Sequence, residues 1–150
     1  MSSVALLGTG LLGESIGQRL LQQGVSLYVW NRTSEHSRSL IDAGAQTLNS
    51  PSEAIRCCDS LITVLRDGPV TAAVLKDIGP LDGSTLITMG TVGVTESQSL
   101  ATQATEQGGK YLEAPVLGSK PQALNGSLLV MAGGEAEVFE KQQHLDHRFA

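Results

Sequence analysis

Residues 4–13 read V-A-L-L-G-T-G-L-L-G, a short apolar run that meets glycines at 8, 10 and 13. The run predicts a strand, and the G-x-G-x-x-G spacing after it predicts a loop that takes a dinucleotide pyrophosphate. Gly8 permits the tight turn, Gly10 puts no side chain between backbone and phosphate, and Gly13 lets the following helix lie close to the strand. Thr9, Leu11 and Leu12 complete that loop and are candidate cofactor contacts with it. At the amino end of the helix, unpaired N–H groups and the positive end of the dipole favour an anion.

A glycine-rich turn with no ligand has the same spacing, so the surroundings carry weight. Leu12, Ile16 and Leu20 recur at helical spacing, Gly17 flattens part of that face, and Gly24 stands where a helix stop belongs. A second apolar run, 25–30, follows at once. Strand, loop, helix and strand within about thirty residues make a βαβ unit.

Asn31-Arg32-Thr33 comes next. NAD-selective sites carry an acidic residue about 20 residues after the glycines to hold the ribose 2′-hydroxyl, and this chain has none there. Arg32 offers a planar fork to a 2′-phosphate, Thr33 and Ser34 add hydroxyls, and Asn31 brings no charge to repel it. NADP is the expected cofactor ahead of NAD; the competing reading makes Arg32 a solvated strand-end arginine. Domains that bind FAD or S-adenosylmethionine share the glycines but want an acid where Asn31 stands.

Downstream, strands and helices are expected to alternate. Residues 34–43 read as a helix stopped by Gly44, 45–48 as a short strand, and Ser50-Pro51-Ser52-Glu53 as a helix start with Ser50 as N-cap. Residues 60–65 form a strand broken by Arg66-Asp67-Gly68-Pro69 before a helix to Ile78. Leu65 and Arg66 are candidates to line a cofactor ribose, and Asp67 has the alternative of being a plain helix cap. Residues 86–89 form a strand, and Thr95 with Gln98 reads as a capping box for a helix to Gln107. Between them, the Thr91 hydroxyl either contacts the nicotinamide ribose or closes a turn. Strands at 111–114 and 127–132, separated by a polar stretch, and a helix at 135–145 complete the chain. The expected fold is α/β, a Rossmann-type doubly wound, mostly parallel sheet with helices on both faces, as one domain over residues 1–150.

Composition narrows the function classes. With 41% hydrophobic residues, 17% charged residues and a net charge of −5, the chain has no basic surface for nucleic acid. No apolar run nears the roughly 20 residues of a membrane helix, and no leader pattern opens the sequence, so a cytoplasmic protein without membrane association is expected. Cys57 and Cys58 are adjacent, a spacing for neither a disulfide framework nor a zinc site. His144 and His147 flank Asp146 at a spacing two metal ligands can share, but no third ligand joins them, so no metal is expected. His36 reads as a surface residue. The residues alone assign no catalytic group.

The order of these motifs resembles the NAD(P)-binding half of the β-hydroxyacid dehydrogenase family, which includes 3-hydroxyisobutyrate dehydrogenase, tartronate semialdehyde reductase and glyoxylate/succinic semialdehyde reductases. The resemblance covers nearly all of residues 3–140. G-T-G-L-L-G-E-S-I-G-Q-R-L-L-Q-Q-G at 8–24 departs mildly from the family at Thr9 and Leu12. M-G-T-V at 89–92 resembles the family's Met-Ser-Thr-Val, and E-A-P-V-L-G-S-K at 113–120 is similar to the segment around Ala-Pro-Val-Ser-Gly-Gly, with Leu117 in place of the serine.

The resemblance implies an oxidoreductase that moves hydride between NADP(H) and a small β-hydroxyacid or semialdehyde. It places Thr91 at the nicotinamide and gives Gly118 and Ser119 N–H groups for a substrate carboxylate, with Lys120 either adding charge or staying solvated. The family's proton donor is a lysine in a Gly-x-x-Lys-x-x-x-Asn motif on a long helix beyond this domain. None of Lys76, Lys110, Lys120 and Lys141 stands in such a motif. The expectation is a nucleotide-binding half without its helical domain, weakly active or inactive alone, whose full-length relatives form homo-oligomers. The alternative is a non-catalytic NADP-binding module or a truncated remnant.

Overall fold

Val4, Ala5, Leu6 and Leu7 are all fully buried, as a parallel strand covered on both faces requires. They form most of β1 (Ser3–Leu7), the centre of the computed structural model, which describes residues 3–90, 92–117, 120–125, 129–130 and 133–134. Alternate side chains of β1 feed two cores. Val4 and Leu6 join Ile16, Leu20 and Leu40 on one face, while Ala5 and Leu7 join Leu75, Ile78 and Leu100 on the other.

After β1 come α1 (Leu11–Gln22), β2 (Ser26–Trp30), a 3₁₀ turn at Ser34–Ser37 that leads into α2 (Arg38–Asp42), and the exposed edge strand β3 (Gln46–Thr47). Gly24, at φ +78°, supplies the left-handed residue that ends α1. A second 3₁₀ turn at Pro51–Glu53 enters α3 (Ala54–Cys57), and β4 (Ser60–Thr63), α4 (Gly68–Ile78), β5 (Thr85–Thr88), α5 (Val94–Glu106) and β6 (Lys110–Glu113) complete the alternation. The sheet order is β3-β2-β1-β4-β5-β6, all parallel. The chain winds outward from β1 one way and then the other, which is the doubly wound Rossmann order. Leu7 pairs with both Trp30 and Thr63, Thr63 with Thr88, and Thr88 with Glu113. The carboxyl ends of five strands therefore finish level, and their loops gather on one edge.

Several local expectations are corrected. The helix predicted over 34–43 starts as a 3₁₀ turn. Its amino half is held by contacts to the glycine loop that helical periodicity does not register. Ser50 is the N-cap of the turn at Pro51–Glu53 as expected, but its hydroxyl turns to Ser52 at 3.0 Å and Glu53 accepts from the Asn49 N–H at 3.2 Å, so no side-chain bond caps that end. Helix α5 starts one residue before Thr95; its N-cap is Gly93, whose N–H donates to Glu96 Oε1 at 3.1 Å. The polar stretch after Ala114 holds β7 (Val116–Leu117) and α6 (Lys120–Asn125). Within the strand expected at 127–132, β8 (Leu129–Val130) pairs antiparallel with β7 and not with the main sheet, while β9 (Gly133–Gly134) adds an antiparallel edge to β6. The helix expected at 135–145 and the histidines at 144 and 147 lie outside the described residues. No described helix is long and apolar enough to cross a membrane.

Candidate functional site

The three fingerprint glycines answer to different causes. Gly8 sits at φ +109°, and a Cβ there would overlap the Val64 carbonyl oxygen and approach Leu65 Cδ2 at 3.0 Å. A Cβ on Gly13 would strike the Gly8 carbonyl. The protein itself requires both residues, because α1 could not otherwise approach β1 and β4 so closely. Gly10 is different. Its φ of −66° and ψ of −169° suit any residue, and a Cβ would meet nothing within 4 Å. Gly10 is the N-cap of α1, and no side chain caps that end. The first-turn amides therefore have no side-chain acceptor among the described residues.

Around this turn the predicted contacts separate into those facing outward and those turned in. Leu11 is 76% exposed, whereas Leu12 is half-buried against the core. Thr9 is only 2% exposed; its N–H donates to Asn31 Oδ1 at 2.9 Å, and its hydroxyl lies 3.1 Å from that of the buried Ser37. Asn31 Nδ2 donates to the Thr33 carbonyl at 2.9 Å. Arg32 and Thr33 are exposed beside the glycine loop, and the Gly8 N–H, donating to the Trp30 carbonyl at 2.9 Å, ties that loop to the end of β2.

Leu65 is wedged at the middle of the edge. Its side chain touches the space beside Gly8, and its carbonyl lies 2.8 Å from where a Gly90 Cβ would stand. Arg66 is 81% exposed and donates from Nε to Asp67 Oδ2 at 3.2 Å. Asp67 is a helix cap, accepting at Oδ1 from the Val70 N–H at 3.0 Å. That N–H, with the Arg66 guanidinium, holds the Asp67 carboxyl below its ordinary range. Thr91, Gly118 and Ser119 lie outside the described residues. Among the described residues no group of three His, Cys, Asp or Glu could hold a metal ion. Cys58 is buried beside Cys57, and that burial raises its thiol pKa, which fits a packing role.

The chain matches a known family model. The NAD binding domain of 6-phosphogluconate dehydrogenase matches over residues 3–149. The chain belongs to that family. It is 34% identical over 143 residues to glyoxylate/succinic semialdehyde reductase 1 of Arabidopsis thaliana, covering 92% of this chain and 50% of the reductase. It is also 34% identical over 146 residues to the cytokine-like nuclear factor N-PAC of Danio rerio, covering 91% of this chain and 31% of that protein. A Mycobacterium tuberculosis 3-hydroxyisobutyrate dehydrogenase with L-serine superposes with a TM-score of 0.92 at 24% identity, over 100% of this chain and 52% of that one. The chain thus spans half or less of the curated relatives named here.

Sequence reasoning missed Ser37, Gly90 and the inward turn of Thr9. A serine in a 3₁₀ turn has no periodicity to reveal it, and a glycine admitting a neighbouring backbone resembles any loop glycine. A surface depression of about 660 Å³ lined by Lys76, Gly79, Asp82 and Gln107 lies at the opposite end of the sheet, away from the glycine loop.

Proposed function

We propose that the chain is the nucleotide-binding half of an NADP-dependent oxidoreductase of the β-hydroxyacid dehydrogenase type, acting on a small β-hydroxyacid or semialdehyde. The observation that carries this reading is Gly10. Neither backbone angle nor packing requires glycine there, and the missing side chain opens the uncapped start of α1 to a pyrophosphate. Arg32, exposed at the end of β2 with no acid beside it, supports a 2′-phosphate and hence NADP over NAD. Bound there, the nicotinamide supplies the hydride. The chain's own residues bind and orient it: Gly8 to Gly13 at the pyrophosphate, Arg32 and Thr33 at the adenosine ribose, Leu65 and Thr91 toward the nicotinamide. Gly118 and Ser119 are assigned to the substrate carboxylate. The names of the plant reductases support a short aldehyde as that substrate.

A second reading, cofactor binding without turnover by this chain, has a specific observation behind it. Lys76 lies in the last turn of α4 and Lys110 opens β6, both at the end of the sheet remote from the site. These are the lysines whose side chains are described, and neither can protonate an alkoxide formed at the carboxyl edge; a reaction without a positioned acid is slower by about 10²–10⁴.

Titration with NADPH and NADH, read by nicotinamide fluorescence and energy transfer from Trp30, tests the proposal. Tight NADPH binding with much weaker NADH binding is expected. Equal affinities would sink the NADP assignment, and binding of neither would sink the site. Reduction of succinic semialdehyde or glyoxylate by the purified chain would exclude the reading without turnover.

A further inference from the structure

We propose that Asn31 is a positioning residue whose amide clasps the glycine loop to the loop after β2, so that it serves the cofactor through Thr9 and Thr33 and not by contact. The inference rests on the reading of the glycine loop as the pyrophosphate cradle. Asn31 Oδ1 accepts from the Thr9 N–H at 2.9 Å, and Nδ2 donates to the Thr33 carbonyl at 2.9 Å. These partners fix the amide's orientation, since an N–H needs an acceptor and a carbonyl needs a donor. Nδ2 also lies 3.5 Å from His36 Nδ1, on the turn that follows Thr33. Both ends of the amide are therefore engaged by protein groups, although its position at the end of β2 resembles that of a ribose ligand.

The clasp lies where two ligand-facing segments join. Thr9 separates Gly8 from Gly10, and its hydroxyl, bonded to Ser37, makes a second tie to the turn that follows Thr33. Without Asn31 the Thr9 N–H loses its acceptor, and the peptides on either side of it are free to turn. Those peptides border the pyrophosphate, which NADH and NADPH share. The 2′-phosphate belongs to NADPH alone. Loss of the Thr9 tie must weaken both cofactors, and loss of the Thr33 tie adds to the NADPH loss, whereas a direct 2′-phosphate ligand must affect NADPH alone.

The test compares wild type, Asn31→Ala and Asn31→Asp by NADPH and NADH titration, with amide hydrogen exchange at Thr9 in the unliganded protein. Asn31→Ala is expected to weaken both cofactors, NADH by about fivefold to tenfold and NADPH by at least as much, and to accelerate exchange at Thr9. Asn31→Asp keeps an acceptor for Thr9 but has no donor for the Thr33 carbonyl, so Thr9 protection returns while NADPH stays weak against the new carboxylate. Loss confined to NADPH in Asn31→Ala, or unchanged affinity for both, would overturn the clasp and leave the proposed function standing. If Asn31→Ala fails to fold, Asn31→Asp decides: an unprotected Thr9 amide overturns the clasp. A wild-type chain that binds neither cofactor overturns the proposed function itself, and the clasp's ligand role with it.

Discussion

Helices α1 and α4 start on the same edge of the sheet, after adjacent parallel strands, yet their amino ends are finished differently. Helix α4 begins at Asp67, whose carboxylate accepts from the Val70 N–H while its backbone carbonyl accepts from the Thr71 hydroxyl at 2.8 Å. Helix α5 follows the same plan less fully, with Glu96 reaching back to the Gly93 N–H. Helix α1 begins at Gly10 and has no side-chain cap, and the Glu14 side chain in its first turn makes no hydrogen bond among the described contacts. All three helices direct a positive dipole end at the edge. Two are hydrogen-bonded by carboxylates of their own, so the proposed anion site rests on the uncapped end of α1 and not on the dipole as such.

The largest expected effect comes from making α1 resemble α4. Gly10→Asp is compatible with the extended backbone at that position, and its Cβ enters open space, so the melting temperature should hold or rise slightly. Binding of NADPH and NADH alike should fall by about a hundredfold or more, because a carboxylate then occupies the amides that hydrogen bonds to a charged phosphate would use. Normal cofactor binding by a folded Gly10→Asp protein would show that the two helix ends do not differ in the way described.

Next in size is Arg32→Ala, which separates the two cofactors where Gly10→Asp does not. Loss of charge-assisted hydrogen bonds to a 2′-phosphate should weaken NADPH by about tenfold to a hundredfold and leave NADH within about twofold. An equal loss for both would move Arg32 from the 2′-phosphate to the pyrophosphate and merge the β2 loop with the glycine loop as one anion site.

The same comparison shows what could be read from the chain. Glycines 8 and 13 are conformational and steric necessities, and the residues that crowd them, Val64 and Leu65, follow the glycine loop by about fifty positions. The spacing could nevertheless be read because the chemistry of close helix–strand packing fixes it locally. Thr9 and Asn31, expected as cofactor contacts from the sequence, meet each other in the structure, and their side-chain directions depend on tertiary contacts. Thr9 looks outward in the motif and is turned inward by Ser37. The start of α5 was displaced because Thr95 and Gln98 make an acceptable capping box, whereas Gly93 with Glu96 is the pair the structure uses. Two neighbouring frames both satisfy the local rule, and packing against α4 chooses between them: the Glu96 side chain lies within 3 Å of where a Gly68 Cβ would stand. Helix α6 went unread because its polar sequence gives little helical periodicity, although buried Ala123 anchors it to the face that α1 covers.

The smallest expected effect concerns the capped end. Asp67→Ala removes the acceptor for the Val70 N–H and frees Arg66, so the melting temperature near neutral pH should fall by a few degrees. NADPH affinity should stay within about twofold, because an end already neutralised by its own carboxylate contributes no anion site. The pH dependence has a definite sign. The folded Asp67 pKa is depressed, first by the Val70 N–H and further by Arg66, relative to about 3.9 in an unfolded chain. The carboxylate therefore stabilises the fold above that unfolded value and loses its contribution as pH falls through the folded one. Thermal unfolding of wild type and variant should differ at neutral pH and converge in acid. Persistence of the gap in acid would mean that the cap works through its shape and neutral hydrogen bonds. Charge would then no longer distinguish the α4 end from the α1 end, and the contrast would rest on Gly10's missing side chain alone.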